Sequence, residues 1–113
     1  MPHAIEPRLI AKRDAVAALC RVHGVVMLDV FGSAADGRFD AERSDYDFIA
    51  RFAPRAGTSL ARRYLSFAEA LEQLLGRPVD VMTDHVIENP YLRRAIEETR
   101  QGLYADAAAE ASV

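Results

Sequence analysis

The fold is decided by Val30–Phe52, "VFGSAADGRFDAERSDYDFIARF". An apolar, β-branched run, "VVMLDVF" from Val25 to Phe31, stops at Gly32-Ser33. Eleven residues separate Ser33 from Asp45. Asp45 and Asp47 then open a second run of strand composition, "DYDFIARF". Its alternation puts Asp45, Asp47, Ile49 and Arg51 on one face and Tyr46, Phe48, Ala50 and Phe52 on the other. Two carboxylates that close repel each other unless water screens them or a cation sits between them.

Outward from this centre the chain reads as alternating elements. Ile5 to His23 places Leu9, Val16, Leu19, Cys20 and His23 at helical spacing, with Pro7 suited to a first turn and Gly24 to a stop. Gly32 to Gly37 reads as a turn with one helical turn in it, and Arg38 to Ser44 as a loop. After the linker "APRAG", a helix capped by Thr58 or Ser59 carries Leu60, Tyr64, Phe67, Leu71 and Leu74, and Gly76 ends it. "RPVDVMT" gives a third strand, Val79 to Thr83. A last helix is predicted from Asn89-Pro90 to Gly102, and residues 105–113 read as a flexible tail behind a domain of residues 1–104. The order implies a small α/β (α+β) layer, a mixed sheet of three to four strands with helices packed on it.

At 113 residues there is room for one domain, and a net charge of −3 argues mildly against direct nucleic-acid binding through phosphates. Cys20 is the sole cysteine, so no disulfide can form within the chain. No apolar run approaches membrane-spanning length, and "MPHAIEPRLIAKRD" lacks a hydrophobic signal core, so a cytoplasmic protein is expected.

Taken singly, Asp45 reads as a turn cap and Asp47 as a solvated strand charge. With Gly32, Ser33 and Asp80 they read as a site. Asp80 interrupts the third strand between two valines and supplies a third carboxylate; Asp29 interrupts the first, but nothing ties it to the turn. Oxygen-only ligands suit Mg²⁺ held together with substrate phosphates, and two such ions serve in-line phosphoryl or nucleotidyl transfer. Gly32-Ser33 offers close backbone approach, N–H groups and a hydroxyl for a nucleoside triphosphate. The histidines lack metal-ligand spacing, and Cys20 reads as core. Arg62-Arg63 and Arg93-Arg94 read first as solvated faces, with contact to an acidic partner or to nucleotide phosphates as the second reading. Tyr91 and Tyr104 fit core, partner contact or acceptor equally.

Gly32-Ser33, the spaced Asp45-x-Asp47 and a later-strand Asp80 resemble the polymerase-beta-type nucleotidyltransferase superfamily. More closely, "DVFGS", "SDYDF", "RPVDVMT" and "NPYLRRAIEETRQGLY" resemble the minimal nucleotidyltransferase (MNT) domains that act as antitoxins beside HEPN-domain toxins. The resemblance covers nearly the whole chain. It implies the nucleotidyltransferase core fold, Asp45, Asp47 and Asp80 as catalytic metal ligands for Mg²⁺, Gly32 and Ser33 as triphosphate contacts, and ATP as co-substrate. It further implies transfer of AMP to a tyrosine of a partner HEPN ribonuclease. One departure stands out. Relatives commonly follow Gly-Ser with Arg-Ala-Arg-Gly, whereas this chain has Asp36 where the arginine is expected. Arg38 is then the residue to take over the phosphate contact. The alternative is a binding module that neutralises the toxin by occlusion. A chain this short must share recognition of the acceptor with a partner surface or an oligomer.

Overall fold

The strand Val25–Phe31 (β1) is the hub of the molecule, flanked on both sides by antiparallel partners in the computed structural model. The structure describes residues 5–40, 42–54, 57, 59–83 and 89–106. On one side of β1 lies Tyr46–Phe52 (β2), which pairs in parallel with Val79–Thr83 (β3). On the other side lies Gln101–Ala105 (β4), giving the order β3-β2-β1-β4. The parallel β2–β3 pair needs a crossover, and the helix Leu60–Leu75 (labelled α4 below) supplies it.

The remaining helices precede and follow this frame: α1, Pro7–Ala11; α2, Arg13–His23; α3, the single turn Ser33–Asp36; and α5, Pro90–Thr99. The long helix expected from Ile5 to His23 is thus two pieces, broken at Lys12 (φ −104°, ψ 12°). Each piece answers to its own anchor. Glu6 caps α1 through its carboxylate, accepts from the Tyr46 hydroxyl (2.8 Å), and donates its backbone N–H to Ala34 O (2.7 Å). Lys12 instead donates its ammonium to Leu74 O at the end of α4 (2.6 Å). Gly24 and Gly76 end α2 and α4 in the left-handed conformation, and Ser59 caps α4 by accepting from Arg62 N.

The strand alternation expected for β2 is observed. Tyr46, Phe48 and Ala50 join Leu28, Val30, Val81 and Leu103 against Leu9, Val16, Cys20, Phe67 and Leu71 in the main core. Each such large side chain contributes about 2 kcal/mol by leaving water. On the opposite face Phe31, Ile49 and Ile96 form a smaller cluster with Met27, Met82 and Leu92, so α5 covers the face that also carries Asp47.

Two further expectations are corrected. The last helix stops at Thr99, not Gly102, and "QGLYA" is the edge strand β4. Arg100 turns out of the helix (φ −56°, ψ 129°) and its guanidinium pairs with Asp29, which faces Gly102 across the β1–β4 ladder. A side chain at Gly102 would meet Asp29 Oδ1 at 3.6 Å. Asp29 is therefore an ion-pair partner holding the edge strand. Arg100→Ala should lower stability by about 2 kcal/mol by leaving a largely buried carboxylate without its main partner; the urea midpoint measures this, and an unchanged midpoint would refute it. Second, Arg63 is not on a solvated face. It is buried over the Phe52 ring, 5.7 Å from the centroid, and donates to Ala53 O (2.9 Å).

No described helix is long and apolar enough to cross a membrane. Of the tail read from 105 onward, Ala105 ends β4 and Asp106 N donates to Val26 O (2.9 Å), while residues 107–113 lie outside the described residues, as do His3, Thr58 and His85.

Candidate active site

At the end of β1 the chain must turn from strand into α3 with no room for a side chain. Gly32 takes φ 72°, ψ −148°, a backbone closed to other residues without strain. A Cβ there would lie 2.9 Å from Asp47 Oδ2, because Phe31 and Asp47 are register partners across β1 and β2. The glycine therefore opens the turn and brings it against the carboxylate. Ala34 and Ala35 bury their methyl groups beneath α3, and the chain ties both of their carbonyls, Ala34 O to Glu6 N and Ala35 O to the Gln101 side chain. This fixes Ser33, half-exposed, as the first residue of α3.

Asp47 and Asp80 are register partners in the parallel β2–β3 ladder and so project from neighbouring positions on one face. Asp45 precedes β2, exposed, two residues along on that same side. Asp47 is half-buried, and its carboxyl is pushed up to about 6. Burial is the largest cause, followed by the charge of Asp80 and then that of Asp45. The charges of both Asp80 and Asp45 are therefore felt at Asp47, while among the described residues no three acidic, His or Cys side chains close into a metal cage. The donor set is oxygen only, and the side-chain-free Gly32 leaves open the space beside Asp47 Oδ2. Both features fit a hard cation such as Mg²⁺ carried in with phosphate oxygens.

The structure places Arg38 differently from Ser33 and Asp47. Its side chain is exposed and closes back on Asp36, Nε to Oδ2 at 2.7 Å, just past the Gly37 end of α3. The residue standing at the expected arginine position is thus occupied with the arginine two places on.

Thr99 was not among the residues singled out from the sequence. Its hydroxyl accepts from Gly32 N (2.9 Å) and donates to Ala95 O (2.9 Å), so the end of α5 holds the glycine turn. The Gly32 N–H is therefore committed, and the Ser33 N–H and hydroxyl are the groups left to meet a phosphate. A threonine at a helix end carries no pattern that would reveal this. Thr99→Val, which keeps the shape and removes the acceptor, should cost about 1–2 kcal/mol and weaken nucleotide binding, whereas Thr99→Ser should retain both. Thermal melts and calorimetric titration with ATP separate the two variants; equal behaviour would remove Thr99 from the site.

Cys20 is buried and its thiol is pushed up to about 12 by burial, which rules it out as a nucleophile at neutral pH. Tyr91 is at the surface and so is not core, whereas Tyr104 is half-buried and packs against the main core.

A family model for the nucleotidyltransferase domain matches residues 12–103. The chain is 39% identical over 74 residues, 66% of its length and 72% of the relative's, to the Methanocaldococcus jannaschii protein named "Putative protein adenylyltransferase MJ1379". Among solved structures it resembles one described as a minimal nucleotidyltransferase, with a TM-score of 0.66 and 34% identity over 88% of this chain and 96% of that one. It also shares its fold with a toxin–antitoxin complex with AMP-PNP (TM-score 0.64, 18% identity, 86% and 76% covered). The same holds for a complex of a tri-AMPylated Shewanella oneidensis HEPN toxin with its MNT antitoxin (TM-score 0.59, 16% identity, 88% and 75% covered). The mixed four-stranded sheet, the glycine turn and the family match over most of the sequence agree: this chain belongs to the nucleotidyltransferase domain family.

Proposed function

We propose that this nucleotidyltransferase moves AMP from ATP to a protein hydroxyl, a tyrosine of a cognate HEPN ribonuclease toxin, and so acts as an antitoxin in the cytoplasm. The observation that carries the reading is Asp47: a carboxylate held against a side-chain-free turn and raised by burial first and then by the charges of Asp80 and Asp45. Such a cluster is unfavourable in an empty protein and becomes favourable once a divalent cation enters. Asp45, Asp47 and Asp80 would hold the Mg²⁺. When bound, Mg²⁺ neutralises the phosphates and stabilises the charge of an in-line displacement. Ser33 would hold phosphate oxygens through its N–H and hydroxyl, with Gly32 giving the room and Arg38 reaching them on release from Asp36. Asp80, exposed on the edge strand, would receive the proton of the acceptor hydroxyl. The acceptor oxygen bonds the α-phosphorus, the bond from that phosphorus to the bridging oxygen breaks, and pyrophosphate leaves. The adenylyltransferase name of the relative and the AMPylated toxin complex support this substrate class.

The test uses the whole chain with Mg-ATP and its neighbouring HEPN protein. The partner's mass should rise by whole AMP units, and tryptic mapping should place them on tyrosine. An unchanged mass with a folded, bound partner would overturn the proposal. One observation favours a second reading, neutralisation by occlusion: Asp36 stands at the expected arginine position and engages Arg38. In that case Asp45→Asn with Asp47→Asn would neutralise the toxin as well as the parent does.

A further inference from the structure

A second polar cavity lies at the opposite end of β2 from Asp47, about 20 Å away at strand rise. It sits between the last turn of α2 and the first turn of α4. Its volume is about 610 Å³, and its lining includes His23, Ser59, Arg62, Arg63 and Ser66. That volume is in the range of small-molecule sites. We propose that this cavity binds the phosphoryl group of a small phosphorylated ligand, independently of the catalytic carboxylates.

Arg63 carries the inference. It is more than nine-tenths buried, and its Nε and Nη1 have no hydrogen-bond acceptor among the described residues. Only Nη2 is engaged, by Ala53 O at 2.9 Å. A guanidinium stays charged at any pH a protein survives and carries five N–H donors, so three of them are buried without a partner among the described residues. Leaving charged donors unmet is costly; these two nitrogens lie closed to solvent beneath the cavity that Arg63 lines, and an anion that draws the guanidinium towards it relieves that cost.

The surroundings match the same ligand. No acidic side chain lines the cavity among the described residues, and Arg62 adds a second positive charge. In a chain of net charge −3 this is a local island of positive potential. Ser59, the N-cap of the 16-residue α4, lines the cavity and accepts from Arg62 N, so the positive end of that helix lies beside it. Ser59 and Ser66 add hydroxyls. Donors thus converge from the buried guanidinium, a helix end and two hydroxyls. That arrangement suits a tetrahedral oxyanion with several acceptor oxygens better than a planar carboxylate with two.

The test titrates inorganic phosphate into the whole chain with EDTA present, so that no metal can recruit phosphate to the carboxylates. The Arg63 Nε–H resonance and the Ala61 amide are followed by ¹H–¹⁵N NMR. A saturable shift with a millimolar Kd is expected, unchanged in Asp47→Asn and at least about five-fold weaker in Arg62→Ala and Ser59→Ala. Arg62 and Ser59 are exposed, so these variants will fold. As a second readout, phosphate should raise the Tm of the parent but not of Arg63→Met, which keeps the apolar stem over Phe52. No saturable shift, a shift that vanishes in Asp47→Asn, or an equal response to acetate at matched ionic strength would each overturn the proposal. The last outcome would point to an acidic protein segment instead.

Discussion

Asp47→Asn is expected to lower nucleotidyl transfer by about three orders of magnitude or more while making the metal-free protein more stable. The loss follows from chemistry: an asparagine oxygen is neutral and holds a hard cation poorly, and Asp47 is the carboxylate between Asp45 and Asp80. The gain follows from the same geometry. The Asp47 carboxyl is pushed up to about 6 from 3.8 in a free chain, by burial first and then by the charges of Asp80 and Asp45. The unfolded chain releases this proton near pH 3.8, whereas the folded chain keeps it to about 6. Between those values the folded state binds more protons, so stability falls as pH rises and reaches its lower level above about 6. Asp47 is about half open to solvent, which screens the effect, so the penalty at pH 8 is about 1 kcal/mol.

Asn removes that penalty. In EDTA at pH 8, Asp47→Asn should melt about 4 °C above the parent, and the gap should close towards pH 3.5. Mg²⁺ reverses the order, because binding to the folded state stabilises the parent and not the variant. In low Mg²⁺, transfer by the parent should rise through pH 6 as Asp47 ionises. A variant that retains a tenth of the activity, or melts no higher than the parent at pH 8, would show that Asp47 is an ordinary solvated strand charge.

What could be read from the sequence was what rests on local pattern. Two of the apolar runs became β1 and β3 with the expected ends, and Tyr46–Phe52 began one residue later than expected. Gly24, Gly76, Ser59 and Asn89 stop and start helices as their chemistry dictates. The shared face of Asp45 and Asp47 was legible from strand alternation; Asp80 joined them only as a candidate third carboxylate and through the family resemblance, and the parallel register that sets it beside Asp47 is seen in the structure. What escaped depends on partners far along the chain. β4 has one buried residue, Leu103, and is held by pairing with β1 more than 70 residues earlier, so Gln101 and Gly102 read as the end of a helix and Ala105 as the start of a tail. Arg63 looks like its exposed neighbour Arg62 until Phe52 and Ala53 are folded beneath it. Thr99 acquires meaning only when Gly32 reaches it.

Gly32→Ala should be the most damaging single-methyl change in the chain, lowering stability by about 3 kcal/mol and transfer at least about 100-fold. Two costs combine at this position. Its backbone, φ 72° and ψ −148°, lies outside the left-handed helical region that other residues tolerate, and the added methyl meets Asp47 Oδ2 at 2.9 Å. Gly76 provides the control, because it also has positive φ (70°) but sits in the ordinary left-handed cap conformation with nothing within 4 Å of an added Cβ. Gly76→Ala should therefore cost only about 1 kcal/mol and leave transfer intact. The excess at Gly32 divides further. Because Asp47 Oδ2 ends a rotatable side chain, the clash is relieved by swinging the carboxylate away from Asp80, which converts a steric cost into a catalytic one. Shortening Asp47 to Ala should recover about 1 kcal/mol of the Gly32→Ala loss, while the backbone cost remains. Urea midpoints for the two single variants and the double variant give this coupling. If Gly32→Ala and Gly76→Ala fall together in both midpoint and activity, Gly32 is a plain turn glycine and the carboxylate does not lie against it in solution.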